Sequence, residues 1–113
     1  MLFRSTQVAI ASKCNEPAWA DECLDKFLLP DRVHLRSVFR PDLIEVYFGC
    51  KSHHLRAIAQ KAKVGLEEMI FFDNQMDNCH DVANIGVTVS YTPNGVTRRA
   101  FDRVLAEIGR AHV

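Results

Sequence analysis

Three short polar clusters stand at or near the ends of apolar runs in this sequence: Ser12-Lys13, Lys51, and Asp73-Asn74 through Asp77. Hydroxyl, ammonium and carboxylate groups beyond the carboxyl ends of parallel strands are placed to bind a ligand there. Spacing alone assigns no role to any of them. The thiols and imidazoles offer less chemistry. Cys14, Cys23, Cys50 and Cys79 include no C-x-x-C pair, and none is in zinc-ligand register with a histidine pair. His53 and His54 are adjacent and would point to different sides of a helix, and Cys79-His80 are likewise neighbours. The four cysteines therefore read as free, partly buried thiols in a reducing compartment. His53, His54 and His80 read as solvated.

The elements that must hold those clusters alternate between strand and helix signals. Residues 7–11 (QVAIA) read as a strand buried on both faces. A helix follows, with Asn15 a candidate N-cap, Pro17 in the first turn, apolar positions at Trp19, Cys23, Leu24, Phe27 and Leu28, and Pro30 ending it. Val38-Phe39 and residues 43–48 (LIEVYF) have strand character, separated by a turn at Arg40-Pro41-Asp42. An amphipathic helix spans about residues 52–63, with Leu55, Ile58, Ala59 and Ala62 inward and Gly65 as its C-terminal cap. Residues 68–72 form a second buried strand running into Asp73-Asn74, then a short helix to Ile85 with Gly86 after it. A strand at 87–91, a turn at Pro93-Asn94-Gly95 and a last helix capped by Thr97 complete the pattern. Phe101, Val104, Leu105 and Ile108 give that helix its apolar face. Such alternation argues for an α/β fold, a parallel sheet flanked by helices. Trp19, Phe71 and Phe72 read as core.

Composition excludes several classes. The 113 residues make about one domain, read as a single partial one over 1–113. Lysine plus arginine and aspartate plus glutamate number 14 each, so no net field draws in nucleic acid or an anionic membrane. No apolar run approaches the ~18 residues of a membrane span. The opening MLFRSTQVAIAS is too short and mixed for a signal peptide. A soluble protein of the cytoplasm or an organelle interior is expected.

Residues 45–97 resemble the latter part of the eukaryotic magnesium-dependent phosphatases of the haloacid-dehalogenase (HAD) superfamily. In those proteins a G-x-K segment opens a helix and a strand ends in FFDD, followed by N-x-x-D-V and L-G-V-T runs. The matching text here is Gly49-Cys50-Lys51, Phe71-Phe72-Asp73-Asn74 and residues 78–88. Residues 8–19 (VAIASKCNEPAW) resemble the family's second motif, a strand ending in Ser or Thr. The resemblance implies a Rossmann-like sheet and a phosphoryl-transfer site that works by positioning and charge neutralisation. It implies Ser12 and Lys13 at the phosphate and Lys51 as the fixed positive charge on phosphate and nucleophile. It implies Asp73, with Asn74 and Asp77, at Mg²⁺, a hard ion that prefers oxygen ligands. Each has a plainer reading: Ser12 as a helix cap, Lys51 as a surface lysine in a first turn, Asp73 as the N-cap of the helix behind it.

Two departures shape the expectation. Asn74 stands where close relatives have a second Asp; Asp77 is at D-x-x-x-D spacing from Asp73 and can compensate. The family also carries D-x-D-x-T/V on its first strand, whose first Asp attacks phosphorus and whose second is general acid/base. Before Gln7 this sequence reads MLFRST, and Asp-x-Asp occurs nowhere in it. The family's first strand, central in a 5-4-1-2-3 order, is thus expected to be absent. The strands at 7–11 and 68–72 would each have a free edge, at about 1–3 kcal/mol per buried unpaired backbone group. A free edge is a template for another chain, so a protein partner or homo-oligomer is expected. The first functional reading is a degenerate, non-catalytic phosphatase-like subunit of a larger assembly. The alternative is a Mg²⁺-dependent phosphatase whose nucleophile comes from a missing N-terminal segment or another chain. The third is an α/β remnant with no ligand. Mg²⁺ is the cofactor if the site is active; none is expected if it is degenerate.

Overall fold

The computed structural model describes residues 6–111, with side chains to 107. The reading of the opening segment therefore lies outside the described residues over 1–5, as does the side chain of Ile108. The chain divides into two compact units, residues 1–49 and 50–113.

In the N-terminal unit, β1 (Ile10–Ser12) pairs in parallel with β2 (Ile44–Val46), Ile10 opposite Ile44 and Ser12 opposite Val46. Between them run α1 (Pro17–Lys26) and three 3-10 turns, Pro30–Arg32, Leu35–Val38 and Pro41–Leu43. Three sequence expectations fail here. Val38 ends a 3-10 turn instead of joining a strand, because His34–Ser37 and Arg36–Phe39 hydrogen bonds close it locally. The cap residue of α1 is Glu16, and neither it nor Asn15 caps through its side chain. The apolar stripe of α1 buries only Leu24; Trp19 is 66% exposed, and Phe27 and Leu28 are exposed too. That helix packs on the turn Leu35–Val38, which is too small to cover the whole stripe.

In the C-terminal unit, α2 (Lys51–Ala62) precedes β3 (Ile70–Asp73), α3 (Met76–Ala83), β4 (Thr88–Tyr91) and α4 (Arg98–Ala111). The β-branched and aromatic runs IFFD and TVSY form a parallel ladder from Ile70 opposite Thr88 to Asp73 opposite Tyr91. Leu55, Ile58 and Ala59 of α2 are buried at helical spacing, with Phe71, Cys79, Val82, Val87 and Val104. Helix α3 packs on α2, β3 and β4. Thr97 caps α4, its hydroxyl oxygen accepting the Ala100 N–H at 3.1 Å. Phe101 of α4 stacks on Phe72, centroids 6.1 Å apart.

The left-handed residue closing α2 is Lys63 (φ 59°, ψ 45°), while Gly65 is extended. The Val64 N–H reaches the Ala59 carbonyl at 3.1 Å and closes the helix two residues before the expected glycine.

The architecture is α/β with parallel strands flanked by helices. The described strands form two ladders, β1-β2 and β3-β4. Among the described residues no helix is long and apolar enough to cross a membrane.

Candidate functional site

The C-terminal unit holds a buried ion pair, built where β3 ends. Lys51 opens α2 and Asp73 ends β3; the Lys51 Nζ lies 2.8 Å from Asp73 Oδ2, and both side chains are 8% exposed. The ammonium also sits 5.2 Å from the centre of the buried Phe71 ring. Desolvating two charges this way offsets most of their attraction, so such a pair adds little net stability. As a fixed, preorganised field it is well suited to a ligand that carries charge.

Asp73 is held on every side. Its Oδ1 accepts the Gln75 N–H at 2.8 Å, and its Oδ2 accepts the Asn78 amide at 3.3 Å besides Lys51. Its backbone carbonyl accepts from the Thr92 N–H at 2.8 Å and the Thr92 hydroxyl at 3.3 Å. Burial pushes its carboxyl up, but Lys51, the Gln75 N–H and the Asn78 amide outweigh that and hold it below the ordinary carboxylate value. Asp73 is therefore a carboxylate at neutral pH. Burial, reinforced by the Asp73 charge, pushes the Cys79 thiol up, so Cys79 stays a neutral thiol. The cap residue of α3 is Gln75, so Asp73 is not the N-cap of the helix behind it; its Oδ1 takes the Gln75 N–H in a local turn, alongside its pairing with Lys51.

The other expected site residues sit differently. Asn74 and Asp77 are exposed, Asp77 in the first turn of α3. Ser12 ends β1, and its hydroxyl accepts the Cys14 N–H at 3.1 Å, bending the chain well before α1 begins. Lys13 follows it, half-buried. Both belong to the N-terminal unit, whereas Lys51, Asp73, Asn74 and Asp77 belong to the other.

Among the described residues no three His, Cys, Asp or Glu side chains converge as a metal site. Mg²⁺ asks for less than that, because it keeps several waters and takes one or two protein carboxylates. Asp73 offers such a carboxylate, and the buried Asn78 Oδ1, with no hydrogen-bond partner among the described residues, is a spare hard oxygen beside it. The donor chemistry fits a hard divalent ion.

Sequence reasoning missed three residues. His54 is fully buried instead of solvated, its Nδ1 2.9 Å from the Cys50 carbonyl oxygen one turn back. Asn78 and Asp81 stood inside the N-x-x-D-V run without a role; their three-residue spacing on a helix was the signal that they share a face. All four cysteines are free, with Cys23 and Cys50 exposed instead of partly buried.

Comparison with known proteins identifies the family. The family model described as Acid Phosphatase matches residues 1–111. Over 104 residues the chain is 31% identical to Magnesium-dependent phosphatase 1 of Homo sapiens, covering 91% of this chain and 54% of the human protein. The chain thus spans about half the length of that curated relative.

Proposed function

The chain belongs to the acid phosphatase family of HAD-type phosphatases, and on that premise we propose that it supplies the lysine–aspartate part of a magnesium-dependent phosphoryl-transfer site. The observation that carries this is the buried Lys51–Asp73 pair, fixed by Gln75 and Asn78 where β3 ends. In this reading the Lys51 ammonium neutralises charge on a phosphoryl oxygen and on an attacking carboxylate. Asp73, with Asn74, Asp77 and water, holds the divalent ion. Bound there, Mg²⁺ supplies charge neutralisation to the phosphoryl group. The phosphate-binding roles of Ser12 and Lys13 are part of the same proposal and rest on the resemblance.

An aspartyl nucleophile is still required, and no Asp-x-Asp exists in the 113 residues. We place it on a polypeptide segment other than these residues. The test is hydrolysis of p-nitrophenyl phosphate with Mg²⁺ by the chain alone and by the chain mixed with a strand peptide bearing D-x-D-x-T. Turnover is expected only in the mixture, and Lys51→Ala should abolish it. A second reading, a non-catalytic subunit of an assembly, is favoured by Asn74 in place of a second acidic ligand. It gains if no D-x-D-bearing partner ever elicits turnover.

A further inference from the structure

Helix α2 begins at the residue that does the chemistry, yet it brings no cap of its own. Cys50 is its cap residue and makes no side-chain cap bond. The first N–H groups of any helix need outside acceptors. One is supplied from α3: the Asp81 Oδ2 accepts the Ser52 N–H at 3.0 Å. One turn earlier on the same face of α3, Asn78 donates its amide to Asp73 Oδ2 at 3.3 Å and to Gln75 Oε1 at 3.1 Å. Asn78 is buried and Asp81 half-buried.

These contacts close a ring. Lys51 bonds Asp73, Asp73 accepts from Asn78, Asn78 and Asp81 stand on one helical turn, and Asp81 binds the residue next to Lys51. We propose that Asn78 and Asp81 are positioning residues, a brace on α3 that sets the start of α2 against the end of β3 and so fixes the Lys51–Asp73 geometry. Asp81 acts through the Ser52 backbone, where a negative charge also favours the helix N-terminus. Asn78 acts on the carboxylate itself, presenting a donor where a second carboxylate would repel. Neither touches the transferred group in this scheme. The inference deepens the proposed function and rests on it for its catalytic meaning, but the brace has its own readout.

That readout is the labelling rate of Lys51 by an amine-reactive reagent, followed peptide by peptide by mass spectrometry in the 113-residue chain. Lys61 and Lys63, at the far end of α2, serve as internal references. Asp81→Ala should raise the Lys51 rate relative to them by about twofold to thirtyfold, the range for losing a helix cap. Asp81→Asn keeps an oxygen that accepts the Ser52 N–H, and should restore most of the protection. Leu55→Ala weakens the unit without touching the ring. Because Lys61 and Lys63 are exposed while Lys51 is buried, it shows how far lost stability alone raises the Lys51 ratio, and Asp81→Ala should exceed that at matched urea stability. Should Asp81→Ala fail to fold, amide exchange of Ser52 in the unaltered chain decides: slow exchange supports the brace, and exchange as fast as an open amide overturns it. An unchanged Lys51 ratio in a folded Asp81→Ala chain, or no rescue by Asn, also overturns it. Protection of this pattern without any response to Mg²⁺ and phosphate would support the brace and count against the proposed function.

Discussion

The two compact units differ in what holds them together. The C-terminal unit buries Leu55, Ile58, Phe71, Cys79, Val82, Val87 and Val104 around a polar ring of Lys51, Asp73 and Asn78. Among its described residues the N-terminal unit buries Leu24, Leu43 and Glu45, and it carries ion pairs at its surface: half-buried Arg36 against Asp21 and Asp25, and exposed Arg40 against Asp42, with Gln7 beside it. Exposed ion pairs contribute about 0–1 kcal/mol, whereas each buried aliphatic side chain contributes about 1.5–3. The difference teaches where precision lies. A site accurate to a fraction of an ångström needs neighbours locked by packing, and only the C-terminal unit locks them.

The largest effect that would break this contrast is at the ion pair. Lys51→Ala leaves Asp73 a buried, unpaired charge and should cost about 3–5 kcal/mol, measured by urea unfolding of the C-terminal unit. Leu55→Ala should cost about 2–5 kcal/mol through the cavity it opens, while Val38→Ala, on an exposed residue of the other unit, should stay within about 0.5. Equal losses at the two positions would erase the distinction.

Acid sharpens it. The Asp73 carboxyl titrates below its ordinary value of 3.8 in the folded chain. Its stabilisation is therefore complete above that value and is lost as pH falls through the lower, folded one. Asp73→Asn should remove this acid-dependent part of the stability from the C-terminal unit in a pH series of unfolding curves. The smallest effect is Arg36→Ala, less than about 1 kcal/mol and diminishing as salt is added.

Much of this was legible in the residue pattern. The alternation of elements, the inner stripe of α2 and the Thr97 cap follow from periodicity and capping chemistry, which are local. Lys51 and Asp73 lie 22 residues apart in the sequence, and packing of α2 beside β3 makes them partners. The failures have the same cause. Trp19 reads as core because it lies on a helical stripe, but burial depends on a covering surface that no local pattern records. Val38 has strand propensity, yet the hydrogen bonds of its neighbours fold it into a turn. Gly65 looks like a helix end, though Lys63 takes the left-handed position first. His54 is buried because α2 turns that face inward, a fact held in tertiary structure. Asn78 and Asp81 were visible as a spacing and acquired meaning only when α3 was seen bridging α2 and β3.

Lys51 and Asp73, in the function proposed above, form a phosphate- and Mg²⁺-responsive pair. The most direct test is NMR observation of the Lys51 ammonium and the Asp73 carboxyl carbon in the 113-residue chain, titrated with Mg²⁺ and inorganic phosphate. Saturable shifts are expected at both groups, with phosphate acting on Lys51 and Mg²⁺ on Asp73, and they should be lost at the remaining partner when either residue is replaced. Two signals that stay fixed at saturating concentrations of both ions, in a chain whose C-terminal unit is folded, would contradict it.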